Sequence, residues 1–291
     1  MALLQQLDAL AATHHALRPA DGKLDAAATD ACQAELLQDI HNTQPALPAN
    51  LACYNAQALA TLYKAGQRTN LYATTKQLIA QLDKPKNTPL APPPARAAAL
   101  TALGALVAEH GTIMAAVAAD AIALLVKLTK SLESHALRGH AFAALARAIR
   151  GSGGLPHKQH DEGLKNARHA LGERGAPAAL RVAALRLLPF LVLFAENLWH
   201  SDLLDSAAAL AVKALDDASP AVRAAAAAVL GDVMLAGLRR PFPTRRASTA
   251  GAPAGGSASK KGAAPPRLLP GRKTEPASPA EAAVHVLASS F

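Results

Sequence analysis

His157 and His160 stand three residues apart with Asp161 and Glu162 immediately after the second, a spacing that would bring two metal ligands onto one helical face. The surrounding sequence offers no third ligand at metal spacing, so the four residues read as a polar, solvated helix start, and no metal ion is expected. His14 and His15 are sequence neighbours that leave a helix in different directions and read as surface residues. The run Gly151 to Gly154, GSGG, lacks the Gly-Lys-Ser/Thr ending of a phosphate loop and follows a helix-like stretch rather than a strand, which makes it a helix C-terminal turn. There is no nucleophile elbow, no zinc-protease histidine pair and no pair of carboxylates in a pocket context. The chain is therefore expected to have no catalytic or cofactor-binding residues and not to be an enzyme.

A different set of residues recurs instead of clustering. Arg96, Arg138, Arg181 and Arg223 follow one another at intervals of 42, 43 and 42 residues. Each opens an Ala-rich apolar run: ARAAALTALGALV, LRGHAFAALARAI, LRVAALRLLPFLV and VRAAAAAVLGDVM. A period of about 40 to 47 residues built from helix pairs marks a HEAT or armadillo α-solenoid, so residues 1–238 are expected to be all-α, made of antiparallel helix pairs. In such arrays an acid in the turn can pair with an arginine early in the second helix, linking neighbouring repeats. Asp217 with Arg223 has that arrangement, Glu133 lies five residues before Arg138, and no acid stands at the matching place before Arg96.

The helices that must position these residues are legible from their punctuation. The most complete start is the last: Asp216 and Asp217 lie at the positive end of the dipole, Ser219 can cap the first free amides, and Pro220 suits the first helical position. Val222, Ala226, Val229, Val233 and Met234 then make one apolar stripe. Upstream, the pattern predicts helices over 2–17, 23–41, 50–64, 70–83, 95–109, 113–129, 135–150, 157–171, 178–195 and 199–215. Asn50 is the expected cap of the third of these, and Pro189 is expected to kink its helix without ending it.

Hydrophobic residues make up 51% of the chain and aromatics only 3%, so helicity should be high and the area buried per helix modest. Cys32 and Cys53 are the only cysteines and have no metal or CxxC spacing, which points to a reducing compartment. The segment MALLQQLDAL has no basic n-region and carries Asp8, so it does not read as a secretory signal. The most apolar run, Leu187 to Ala195, is too short to span a bilayer.

The net charge of +9 has one address: nine basic residues and no acid lie between Arg239 and Lys273, whereas residues 1–238 carry 21 basic and 19 acidic side chains. The Pro/Ala/Gly-rich stretch 239–277 is expected to be a disordered basic linker. It reads as a solvated spacer or as a contact for an anionic membrane; specific nucleic-acid binding is not expected, because Phe242 is its only aromatic residue. Arg245, Arg246, Ala247 and Ser248 form an RRxS sequence, making Ser248 a candidate phosphorylation site. Ser278 and Pro279 read as the cap and first residue of a further helix over 278–291, and the chain is expected to be a fragment of a longer protein.

Four segments in order carry a family resemblance: NLACYNAQALATLYKAGQRTNLYATTKQLIAQL from Asn50 to Leu82, RGHAFAALARAIRGSGG from Arg138, KNARHAL from Lys165, and DDASPAVRAAAAAVLGDVM from Asp216. Together they resemble the N-terminal region of HEAT-repeat-containing protein 5 and its fungal counterpart, the large clathrin-adaptor accessory protein, over roughly Leu36 to Leu238. The resemblance implies a non-enzymatic cytosolic scaffold, peripheral to the trans-Golgi network and endosomes, whose partners are the clathrin adaptor complex acting between those membranes and its accessory proteins. It carries over no functional residues, since the matching segments look like repeat packing. The alternative is a karyopherin-like cargo-binding solenoid or the regulatory subunit of an enzyme. Against the first stands a near-neutral body with a single tryptophan, Trp199.

Overall fold

The computed structural model describes residues 26–41, 49–65, 69–83, 91–130, 134–154, 157–195 and 202–239. These residues form ten α-helices and no strand: α1 (Ala26–His41), α2 (Ala49–Ala65), α3 (Thr69–Leu82), α4 (Pro93–His110), α5 (Ala115–Leu128), α6 (His135–Ser152), α7 (His157–Gly172), α8 (Ala178–Leu193), α9 (Leu203–Ala214) and α10 (Pro220–Arg239). The helix expected over 2–17, the linker beyond Arg239, Ser248 and the helix start at Ser278 lie outside the described residues.

Helices pack with near neighbours in sequence. The most extensive contacts join α2 to α4, α4 to α6, α6 to α8 and α8 to α10, while α3, α5, α7 and α9 touch one another more lightly in the same order. The four helices that begin with the recurring arginines therefore pack serially.

Alanine is what lets these helices approach. In α4 the buried residues include Ala95, Ala98, Ala99, Ala102 and Ala105 as well as Leu100, Leu103 and Leu106, so the helix is enclosed nearly all round between α2 and α6. Such a helix needs no polar face. A Cβ added at Gly104 would stand 2.8 Å from the Ala144 Cα, and one added at Gly151 would stand 2.1 Å from the Val107 carbonyl oxygen. The backbones of α4 and α6 thus meet directly at both places. Larger side chains, Tyr63 and Phe142 among them, fill the remaining volume at 1% and 0% exposure.

By contrast α7, HKQHDEGLKNARHALG, buries one stripe, His160, Gly163, Asn166, Ala167 and Ala170, and keeps its Lys, Arg, Asp and Glu side chains outside.

Several helix ends differ from the sequence expectation in instructive ways. Pro93 and Pro94 belong to α4 instead of the preceding turn, since the first amides of a helix have no intrahelical acceptor to lose. Gly151 is helical, and Gly153, at φ 73°, closes α6 in the left-handed conformation. Ser152 Oγ donates to the carbonyls of Ile149 and Gly154. As expected, α8 continues through Pro189.

At α10 the first turn is held by the Asp217 carboxylate and the Ser219 backbone, where the sequence suggests a Ser219 side-chain cap. The Asp217 carboxylate accepts the Ser219 N–H at 2.8 Å, and the Ser219 carbonyl accepts the amides of Val222 and Arg223.

The run Pro220–Leu238 is long and apolar enough to cross a membrane, with mean hydropathy 1.6, a property the sequence expectation overlooked. Its stripe Val222, Ala226, Val229 and Val233 is buried, and it packs on α8 and α9.

Candidate functional site: an arginine and carboxylate series between helices

Each of the four arginines is the fourth residue of its helix: Arg96 in α4, Arg138 in α6, Arg181 in α8 and Arg223 in α10. Their amides donate to the carbonyls of Pro92, Ser134, Pro177 and Ser219 and so close the first turn in every case. The residue just before each, Ala95, Leu137, Leu180 or Val222, is buried and fixes the rotation of the turn.

Two of the side chains, those of Arg138 and Arg181, reach forward along the series. Arg138 Nη1 donates to Glu173 Oε2 at 2.6 Å, and Arg181 Nη1 meets Asp217 Oδ2 at 3.0 Å. Glu173 lies in the turn before α8 and Asp217 in the turn before α10. Each bridge thus joins one helix of the series to the connection that starts the next.

This corrects the pairing read from sequence. Asp217 turns its carboxylate to Arg181, while the Arg223 guanidinium donates to the carbonyls of Asp217 and Ala218 at 2.8 and 3.1 Å. The reason is local, since Asp217 Oδ1 already holds the Ser219 amide and the second oxygen is left facing α8. Glu133 lies outside the described residues.

The Arg138 junction is the most developed. Its Nε donates to the Thr129 carbonyl at 3.2 Å, just past the C-terminus of α5. Asn166, on α7, donates to Thr129 Oγ1 at 2.9 Å and to the Val126 carbonyl at 3.2 Å, and Thr129 Oγ1 itself donates to Val126 O. A helix C-terminus presents unpaired carbonyls and the negative end of the dipole, so a buried cation and a buried amide are the groups that suit it.

On the solvent side, the His135 ring Nε2 meets Glu173 Oε1 at 2.9 Å, and His169 Nδ1 stands 4.0 Å from Oε2. The His135 hydrogen bond, then the Arg138 hydrogen bond, hold the Glu173 carboxyl below its ordinary pKa.

Exposure is least at Arg138 and rises from there along the series. Arg96 and Arg138 are 6% and 2% exposed, the Arg181 side chain 23%, and Arg223 is exposed.

The candidate ligands are not gathered. His160 is buried whereas Asp161 and Glu162 are exposed, the His157 side chain lies outside the described residues, and no group of three or more His, Cys, Asp or Glu comes together among the described residues. Sequence reasoning missed Asn166, Thr129 and Glu173. A period search finds residues repeated in every unit, and this polar set is complete in one unit only.

No family model matches the chain, and no solved structure matches it.

Proposed function

We propose that the protein is a non-enzymatic α-solenoid scaffold of antiparallel HEAT-type helix pairs, working at the cytoplasmic surface of membranes between the trans-Golgi network and endosomes in association with the clathrin adaptor complex. The observation that carries the scaffold reading is the repeated junction: the same helix position, two ion pairs of the same sense and serial packing of the arginine helices. A unit whose bonds point to the next unit builds an extended support by addition. The ordered resemblance from Leu36 to Leu238 supports the trafficking role.

The test is a clean deletion in the source cells, together with affinity purification of the full-length protein. Expected are adaptor subunits among the co-purifying proteins and mislocalised adaptor-dependent cargo. Normal cargo distribution with no adaptor among the partners would remove the trafficking role.

A further inference from the structure

The helix that ends the described series has an open face. Towards α8 and α9, α10 buries Val222, Ala226, Val229 and Val233; on its far side Ala224, Ala228 and Gly231 are exposed, with Leu235 at 51% and Leu238 at 43%. Of the positions 42 residues earlier, Val182, Arg186, Pro189 and Leu193, the last three line a groove with residues of α10, and Val182 and Leu193 pack against the core. Among the described residues, none lies upon that far side of α10. Beside it, Pro189, Phe190, Leu193, Val229 and Leu235 line a groove of about 450 Å³, with Arg186 and Asp232 at its edge.

We propose that this face and groove are a docking surface for residues 279–291 of the same chain, which lie outside the described residues. Four properties of that segment fit it. Ala280, Val284, Leu287 and Phe291 fall on one stripe at helical spacing, the apolar counterpart the groove requires. Glu281 lies beside that stripe, an acid available to Arg186 at the edge of the groove. A flexible chain of the length of 240–278 would have a root-mean-square reach of about 35 Å. That exceeds the roughly 30 Å length of a twenty-residue helix, so any point on α10 is within its range. Finally, a helix beginning at Pro279 would gain its stability from a surface to pack on, since most helical stability in proteins comes from the packing of an apolar face.

The test is hydrogen exchange on the full chain, comparing wild type with Leu287→Asp, Phe291→Asp and, on the other side of the contact, Leu235→Asp. The proposal expects amides from Val229 to Leu238 to exchange at least about tenfold faster in every variant, while α4 and α6 keep their protection. Protection of the wild type should be unchanged on dilution. A second readout is positive: with Cys32 and Cys53 replaced by serine, Leu235→Cys and Leu287→Cys should form a disulfide within one chain.

Identical exchange in wild type and the Leu287 and Phe291 variants would overturn the proposal. So would protection that falls on dilution, which would make a second copy the occupant, or a cross-link found only between chains.

Discussion

A guanidinium at 2% exposure is tolerable only if its fork is answered, and at Arg138 it is answered by a carboxylate and a helix-end carbonyl. Removing it leaves Thr129 O without its donor and Glu173 without its buried partner. Arg138→Ala should therefore cost about 3 kcal/mol, whereas Arg181→Ala, at a bridge open to water, should cost about 1 kcal/mol or less. Urea denaturation of the two variants gives the order, and a reversed order would show that the Arg138 junction is not the stronger one. Glu173 adds a pH dependence of defined sign. Its folded-state pKa lies below the ordinary carboxylate value, through His135 first and Arg138 second, so its contribution is present above the unfolded carboxyl pKa and is lost as pH falls through the folded one. Glu173→Gln should lower the melting temperature at neutral pH, and the gap to wild type should close as the solution is acidified below the carboxylate range. A gap that stays constant into that range would mean the charge is not what Glu173 contributes.

Helices are the scale at which the sequence was most readable, and the reasons lie in particular residues. Pro and Gly mark backbone conformations directly, so Gly153, Gly175 and Pro220 gave the ends of α6, the turn before α8 and the start of α10. The 42-residue spacing of arginines gave the serial contact of α4, α6, α8 and α10, because a residue at the same place in each helix must meet the same neighbour. What a single chain's letters do not contain is which partner a side chain chooses. Asp217 lies six residues from Arg223 and thirty-six from Arg181, and the more distant arginine wins because one carboxylate oxygen is already committed to Ser219. Gly151 was misread for a similar reason, since a glycine at a helix end looks like a stop until the facing helix is seen to touch it. Gly151→Ala should accordingly destabilise by about 1–3 kcal/mol through overpacking against Val107 and Ala108, while Gly172→Ala, which meets nothing within 4 Å, should be close to neutral. Equal midpoints in denaturant for the two variants would contradict that contact. In α10, Val229→Asp should unfold the last helices by burying an unpaired charge, seen as lost exchange protection from Leu203 to Arg239 before the rest of the chain opens.

For the molecule as a whole, charge is unevenly divided along the chain. The described helices draw on residues 26–239, where basic and acidic side chains nearly balance, whereas the segment from Arg239 to Lys273 holds nine basic residues and no acid. Each Lys or Arg brought close to an anionic bilayer gains about 1 kcal/mol, and the gain is screened over a Debye length of roughly 8 Å at physiological salt. A scaffold acting at membranes would use such a segment as an electrostatic tether, and with residues 279–291 seated on α10 the segment would be a loop held at both ends, its charges kept near one end of the helical series. Phosphorylation of Ser248, beside Arg245 and Arg246, would add a charge of about −1.5 to −2 and weaken the tether where it is densest. Sedimentation of the full-length protein with vesicles tests this directly. Binding is expected to vesicles containing phosphatidylserine and not to neutral phosphatidylcholine vesicles, to decline as salt is raised, and to be weaker for Ser248→Glu than for wild type. Equal binding to the two kinds of vesicle would reduce the segment to a spacer, and salt-insensitive binding would transfer the contact to the apolar face of α10.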